Sequence, residues 1–167
     1  MFVKLEHFIQ EWENETKATR RVLETLTDAS LAQEVVPGHR TLGRMAWHIA
    51  MTINEMMSRT GLDFPSFGEH EEVPGSAEAI VEAYVNSSRA FIEALKKQWT
   101  DASLTQTCNL YGEEWPNAVT LRVLIQHEVH HRGQLTVLMR QAGLRVPGVY
   151  GPAQEEWANM GMPAPTV

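Results

Sequence analysis

The chain has 167 residues, of which 43% are hydrophobic and 21% are charged, and its formal net charge is −7 at pH 7. These values predict one folded domain over residues 1–167, and the acidic balance argues against a nucleic-acid partner, because a phosphate backbone binds basic surfaces. No apolar run is long enough for a membrane span or a secretory signal, so we expect a cytoplasmic protein without a membrane partner.

Two helices are predicted in the first part of the chain. Apolar side chains recur at helical spacing from residue 2 to about residue 27, with no glycine or proline among them. After the break VVPGHR, Thr41 is a suitable N-cap for a second helix, which Gly61 stops. Residues 61–75 contain three glycines and two prolines, which predict a long loop.

A third helix and an irregular connection follow this loop. Ser76 is a suitable N-cap for a helix over residues 78–98, whose apolar side chains lie along one side. The segment that follows alternates partly between polar and apolar residues and contains Gly112 and Pro116. It therefore predicts an extended or hairpin-like connection.

The fourth helix begins at Thr120, another suitable N-cap, runs to about residue 141, and is closed by Gly143. A short C-terminal helix fits residues 152–160. Four helices of roughly 20 residues are each about 30 Å long, which is a matched set for a bundle. The sequence therefore predicts an all-α protein, a four-helix bundle with long connecting loops.

The string QHEVHHRGQ of the fourth helix contains a cluster of histidines that could bind a metal ion. His127 and His131 are four residues apart, about 40° around the helix axis, so both imidazoles can reach one ion. His130 lies to the other side of His127 and would serve only on a rotated face. Because Cys108 is the only cysteine, a metal site here must use histidines and carboxylates.

A third candidate ligand lies in the second helix. His48 falls among apolar neighbours on the same side as Thr52, the side that we expect to face the bundle interior. Three imidazoles would leave a fourth position open for water or substrate, as in catalytic zinc sites. A hydrogen-bonded core histidine is the alternative for His48. The remaining histidines, in polar or loop settings where we expect them to be solvated, are His7, His39 and His70.

The same letters carry a second interpretation. His127, Glu128 and His131 spell HExxH, in which the glutamate is the general base of zinc proteases. The longer protease form of this motif fails at Gln134 and Val137. A metalloprotease is therefore the less favoured hypothesis.

Three strings carry a family resemblance: RTLGRMAWHIA around His48, YGEEWPNAVTLRVLIQHEVHHRGQL around His127 and His131, and VYGPAQEEW after the fourth helix. Together they resemble the DinB-like, or DinB/YfiT, metal-binding proteins over nearly the whole chain. The resemblance implies an up-down-down-up bundle in which these three histidines hold a divalent metal ion. It also implies a homodimer.

The resemblance further implies a chemistry. Similar proteins include thiol-dependent transferases and isomerases, in which the metal activates a low-molecular-weight thiol as its anion. We therefore expect a metal-dependent enzyme of the thiol-dependent transferase or hydrolase type, with zinc or nickel and a small-molecule substrate such as a thiol. Because a fold does not decide function, the alternative is a non-catalytic metal-binding or stress-related protein.

Two further side chains are candidates for catalysis. Glu55 lies seven residues after His48, about 20° from it on the helix, near enough to accept a hydrogen bond or act as a base. A plain surface residue is an equal alternative for Glu55. Gln134 could orient an imidazole through its amide. The resemblance implies that Glu128 faces solvent or a partner helix, and we interpret Arg132 as a structural or interfacial ion-pair partner.

Overall fold

Four α-helices make up most of the protein, whose computed structural model describes residues 1–69 and 72–166. The helices are α1 (Leu5–Leu23), α2 (Leu42–Met57), α3 (Ala77–Gln98) and α4 (Asn117–Gln141). The predicted all-α class is confirmed, whereas the setting predicted for His70 lies outside the described residues. Within the described ranges, no helix is long and apolar enough to cross a membrane.

Three of the helix ends that the sequence predicts are confirmed. The Thr41 side chain accepts a hydrogen bond from the backbone N–H of Arg44, and the Ser76 side chain accepts one from Ala79. These bonds satisfy amide groups that the first helical turn leaves without a partner. Gly143 follows α4 with a φ of +73°, a conformation that glycine adopts without a steric penalty.

The first helix is shorter than predicted. It ends at Leu23 instead of continuing to residue 27, because Thr27 caps a separate 3₁₀ turn, Asp28–Ser30. The Thr27 side chain accepts from the backbone N–H of Ser30, and the Ser30 hydroxyl accepts in return from the Thr27 N–H. The predicted short C-terminal helix is also of the 3₁₀ type, at Gln154–Met160.

The start predicted for the fourth helix is wrong. The helix begins at Asn117, directly after Pro116, whose φ of −57° already suits a helix. The Asn117 side chain donates to the backbone carbonyl of Ser103, which fixes this end in the core. Thr120 is therefore a buried residue within the first turns of α4 and not its cap.

The connection between α3 and α4 is a β-hairpin, in agreement with the predicted extended or hairpin-like segment. Strand β1 (Thr107–Leu110) pairs antiparallel with β2 (Glu113–Pro116). Tyr111 and Gly112 form the tip, with φ values of 54° and 91°. Two successive residues with positive φ are typical of the tight turn whose twist matches that of the paired strands.

The first helix runs antiparallel to the next two. The backbone N–H of Ala77, at the start of α3, donates to Asp28, which follows the end of α1. The N–H of Gly43, at the start of α2, donates to the carbonyl of Leu31 in the same region. Both α2 and α3 therefore start at the end of the bundle where α1 finishes.

The fourth helix runs parallel to the first. Arg122, near the start of α4, forms an ion pair with Glu11, and Arg132, further along α4, forms one with Glu15. Helices α1 and α2 each pack against both α3 and α4. The order is therefore up-down-down-up, with α2 beside α4, and this pair of helices positions the candidate site.

The space between the helices is filled mainly by large aromatic and aliphatic side chains. Phe8, Trp12 and Phe91 are fully buried, and their ring centroids lie 5.5 to 5.9 Å apart. Edge-to-face and stacked aromatic contacts at this distance add to the stabilisation from burial. Two of the largest buried side chains, Tyr84 and Arg132, are polar and belong to a hydrogen-bond network that joins α4 to α1 and α3.

Candidate metal centre

Three histidine side chains meet between α2 and α4. His48 comes from α2, whereas His127 and His131 lie one turn apart on α4. The Nε2 atoms of His48 and His127 are 3.0 Å apart, and those of His127 and His131 are 3.1 Å apart. The ligand atoms of all three residues lie within 4.8 Å of one another, so this group could hold a metal ion.

The spacing of these nitrogens fits a shared ion. Two imidazole nitrogens that bind one zinc ion at about 2.0–2.1 Å lie roughly 3.0–3.4 Å apart. Because Nε2 of His127 carries either one proton or one lone pair, hydrogen bonds to both neighbours would have to share it, whereas a cation takes one lone pair from each ring. The donor set therefore suits a cation that all three side chains approach.

A short hydrogen bond on the outer side of its ring orients His131, and a longer contact reaches the ring of His48. Gln134 Oε1 lies 2.7 Å from Nδ1 of His131, so Nδ1 carries the proton and Nε2 of the neutral ring keeps its lone pair. Thr52 donates to the backbone carbonyl of His48 at 2.7 Å, and its hydroxyl lies 3.5 Å from Nδ1 of that ring. The structure thus brings Gln134 to an imidazole, and a catalytic role for Gln134 stays a prediction.

The two histidines of α4 are held in the neutral form. Burial lowers the pKa of His127 to about 4, and the charges of His131, His130 and Arg40 lower it as well, while Glu55 opposes them. Burial is also the main cause that lowers the pKa of His131; the hydrogen bond to Gln134 opposes it, and the charges of His130 and Arg40 add to the lowering. Since only the neutral imidazole binds a metal, these two histidines are ready for ligation at neutral pH.

Glu55 lies at one edge of the centre and is already engaged. Its carboxylate accepts from Arg59 at 2.9 Å and from the Tyr111 hydroxyl at 2.7 Å. Burial, followed by the hydrogen bond to Glu55, raises the pKa of Tyr111 to about 12, so this hydroxyl keeps its proton. The sequence does not reveal Tyr111 as a neighbour of the site, because only the pairing of β1 with β2 carries the hairpin tip to α2.

His130 stands outside the converging group. Its side chain is exposed, and its ring centroid is 4.9 Å from that of His131. Helices α2 and α4 therefore bring together the same three histidines that the sequence selects, and His130 is a neighbour outside this group. Their role as metal ligands stays a prediction that the geometry favours.

Glu128 and Arg132 lie on another side of α4, toward α1 and α3. Glu128 is 2% exposed and accepts from the hydroxyls of Thr19 and Tyr84 at 2.7 and 2.9 Å. Arg132 is also 2% exposed and pairs with Glu15 at 2.7 Å. Glu128 thus faces partner helices, Arg132 is a structural ion-pair partner, and the HExxH interpretation loses its general base.

The sequence model of the DinB family matches residues 1–165 of this chain, which is nearly its whole length. The chain belongs to the DinB family. The uncharacterised protein YrdA of Bacillus subtilis strain 168 is 52% identical to this DinB-family protein over 165 residues, which is 99% of each chain. The uncharacterised protein YjoA of the same organism is 25% identical over 79 residues, 47% of this chain and 51% of YjoA.

Solved structures show the same fold. The crystal structure of a DinB-like protein from Bacillus cereus ATCC 10987 matches with a TM-score of 0.87 at 50% identity, covering 90% of this chain and 100% of that one. The crystal structure of YjoA matches with a TM-score of 0.68 at 17% identity, over 86% of this chain and 97% of YjoA. The resemblance identified from the three sequence strings is therefore confirmed.

Proposed function

We propose that this DinB-family protein is a metal-dependent enzyme of the thiol-dependent transferase or hydrolase type. Zinc or nickel is held by the Nε2 atoms of His48, His127 and His131, and one coordination position stays open. The observation that supports this proposal is the convergence of the three nitrogens, with separations of 3.0 and 3.1 Å along the group. Family membership is compatible with metal binding.

Neighbouring residues hold the three histidines in an orientation that suits metal binding. Gln134 fixes the tautomer of His131, and the packing of α2 against α4 places His48 opposite the pair. Such outer hydrogen bonds raise the affinity of a histidine ligand by orienting it. A bound divalent ion supplies Lewis-acid chemistry, which favours the anionic form of a thiol or a water molecule.

The proposed substrate is a small molecule, with a low-molecular-weight thiol as the leading class. The protein is proposed to be a cytoplasmic homodimer with no nucleic-acid or membrane partner, in keeping with its net charge of −7. Because the Glu128 carboxylate is buried and hydrogen-bonded to Thr19 and Tyr84, it does not serve as the general base of a protease, and we propose no protease activity.

The test begins with elemental analysis of the protein as purified. We expect about one zinc or nickel ion per chain, in keeping with a three-histidine site that accepts either metal. Metal-depleted protein, reconstituted with each ion, is then assayed with a panel of small thiols and electrophiles. Metal-dependent turnover supports the enzyme, and metal-depleted protein is the matched control.

Two outcomes separate the proposal from its alternatives. Stoichiometric metal without turnover of any thiol or electrophile in the panel favours a non-catalytic metal-binding or stress-related protein. Protein that neither retains nor rebinds a divalent ion contradicts the metal centre altogether.

A further inference from the structure

A surface groove runs between α1 and α3, on the side of the bundle opposite the pair of helices that holds the three histidines. Its volume is about 430 Å³, and within the described ranges all of its lining residues belong to these two helices. The C-terminal segment crosses another side of α1, where Arg21 donates to the carbonyl of Gly148 and Tyr150 donates to Glu15. Small-molecule sites have volumes of roughly 300–1,000 Å³, so the groove is large enough for a ligand.

The floor of the groove changes from apolar to polar about one helical turn along its length. Trp12 of α1 and Ile92 of α3 line the apolar part. One turn further along both antiparallel helices, Thr16 and Ser88 line the polar part, and their hydroxyl oxygens are 3.2 Å apart. Val85 continues the floor beyond them. The Nε1 of Trp12 donates to the Ser88 hydroxyl at 2.9 Å, so the indole is fixed against the polar part.

Two cationic side chains flank the hydroxyl pair. Lys17 directly follows Thr16 on α1, Arg89 directly follows Ser88 on α3, and both are exposed and line the groove. Neither forms an ion pair with residues 1–69 or 72–166, and Arg89 donates a hydrogen bond to the neutral side chain of Asn86. Two cations without a counterion, on opposite walls of one groove, favour an anion between them.

The acidic residues of the rim lie at the apolar end. Glu13 is one turn before Lys17 on α1, and Glu93 is one turn after Arg89 on α3, where Lys96 also lines the groove. The rim as a whole carries four basic and two acidic residues, although the net charge of the chain is −7. The separation of charge orients an anionic ligand, because its head group is attracted to one end and repelled from the other.

The size of the groove favours a small molecule over a protein partner. It is lined by 11 residues, whereas a stable protein interface takes about 20–30 residues from each partner. Along α1 it extends from Trp12 to Arg20, which is roughly 12 Å at 1.5 Å per residue and about the length of an extended chain of ten carbon atoms.

We infer that this groove binds an amphiphilic anion, a medium-chain carboxylate, with its head group between Lys17 and Arg89 and its alkyl chain on Trp12 and Ile92. The site is separate from the three histidines, and the inference does not depend on the proposed function. Lysine and arginine bind a carboxylate through charge-assisted hydrogen bonds, while the apolar floor removes one side of the alkyl chain from water.

The test titrates the full-length protein with decanoate in a calorimeter, below the concentration at which decanoate forms micelles. Decanoate should bind saturably, with about one molecule per chain, whereas decyltrimethylammonium, which has the same alkyl chain and the opposite charge, should not. Octanoate should bind about fourfold more weakly, because it lacks two methylene groups that the open groove half-buries. The inference is overturned if decanoate shows no saturable binding or if the cation binds equally well.

Single substitutions test the head-group position. Lys17→Gln and Arg89→Gln should each weaken decanoate binding about fivefold, the upper end for an exposed ion pair. Lys97→Gln is the matched control, because Lys97 is an exposed lysine of α3 that does not line the groove, and it should leave the affinity unchanged. If all three substitutions weaken binding equally, or if none does, the proposed head-group position is wrong.

Two further measurements address the orientation and the alternative occupant. In NMR spectra of the wild type, the terminal methyl group of decanoate should show contacts with Ile92, and the methylene group beside its carboxylate should show contacts with Thr16. Contacts in the reverse order, or with residues outside the groove, contradict the inference. Sedimentation velocity tests whether a second copy of the chain covers the groove. A dimer that Ile92→Ala converts into a monomer would overturn the ligand site.

Discussion

The amide of Gln134 is the contact that most directly prepares a single ligand. Because it accepts from Nδ1 of His131, the other ring nitrogen keeps its lone pair toward His127. Gln134→Ala is therefore expected to weaken zinc binding about tenfold, the lower end for loss of such an outer partner. Competition with a chromophoric chelator measures the change. Gln126→Ala, at an exposed position of the same helix, should leave the affinity unaltered.

The low pKa of His127 predicts how metal-free protein responds to acid. Its folded pKa is about 4, below the ordinary 6.5, so between these values the unfolded chain binds a proton that the folded protein excludes. The contribution of His127 to the free energy of unfolding therefore falls as the pH falls through this window. Glu128 has the opposite sign, because burial raises its pKa from 4.5 to about 7.

Comparison with His127→Gln isolates the contribution of His127 to the pH dependence of stability. Urea denaturation of metal-free wild type and His127→Gln between pH 7 and pH 4.5 should show the wild type losing stability relative to the variant as the pH falls. The Glu128 contribution is common to both proteins and cancels in the difference. A stability difference that does not change with pH contradicts the assignment.

At the scale of the helix, α4 carries separate polar groups on two sides. One side presents the histidines to α2, and the other presents Glu128 to Thr19 and Tyr84. Glu128→Ala leaves these buried hydroxyls without their acceptor and should lower the free energy of unfolding by about 3 kcal/mol. Glu24→Ala, which removes an exposed ion pair with Arg20, should cost less than about 1 kcal/mol.

The Glu128 substitution also tests the HExxH interpretation. Glu128→Gln keeps the shape of the side chain and should retain the full complement of metal, because Glu128 contacts α1 and α3 instead of the ion. Any metal-dependent thiol activity should persist in this variant. Loss of activity with the metal still bound would restore Glu128 as a candidate base.

Gly133 is an exposed glycine in the middle of α4. A Cβ added there would meet nothing within 4 Å, so the fold of one chain gives no packing reason for glycine. Gly133→Ala should therefore raise the free energy of unfolding by about 1 kcal/mol, the difference in helix propensity between the two residues. Denaturant titration at low protein concentration measures this gain. Destabilisation would show that another surface packs closely against Gly133.

At the scale of the whole molecule, the sequence predicts the fold well where local signals and burial agree. The caps at Thr41 and Ser76 and the stop at Gly143 are all found, because each depends on bonds within a few residues. The start of α4 is wrong for the converse reason. Thr120 looks like a cap, but Pro116 and the bond from Asn117 to Ser103 start the helix earlier.

Part of the candidate site can likewise be predicted from local sequence patterns, and part cannot. His127 and His131 follow from helical spacing, and His48 from its place on an apolar face. The Tyr111 contact with Glu55 depends on chain segments that meet only in the folded protein. No local sequence pattern encodes this contact. The single-domain assignment over residues 1–167, the homodimer and the identity of the metal stay predictions.

The metal centre is tested most directly by the metal content of three histidine variants, purified in parallel with the wild type and measured by elemental analysis. His48→Ala and His131→Ala should each lose stoichiometric metal, because each removes one of the converging nitrogens. His130→Ala should keep about one ion per chain, since its exposed side chain lies outside the group. If His130→Ala also loses the metal, or if His48→Ala retains it, the three-histidine centre described above is wrong.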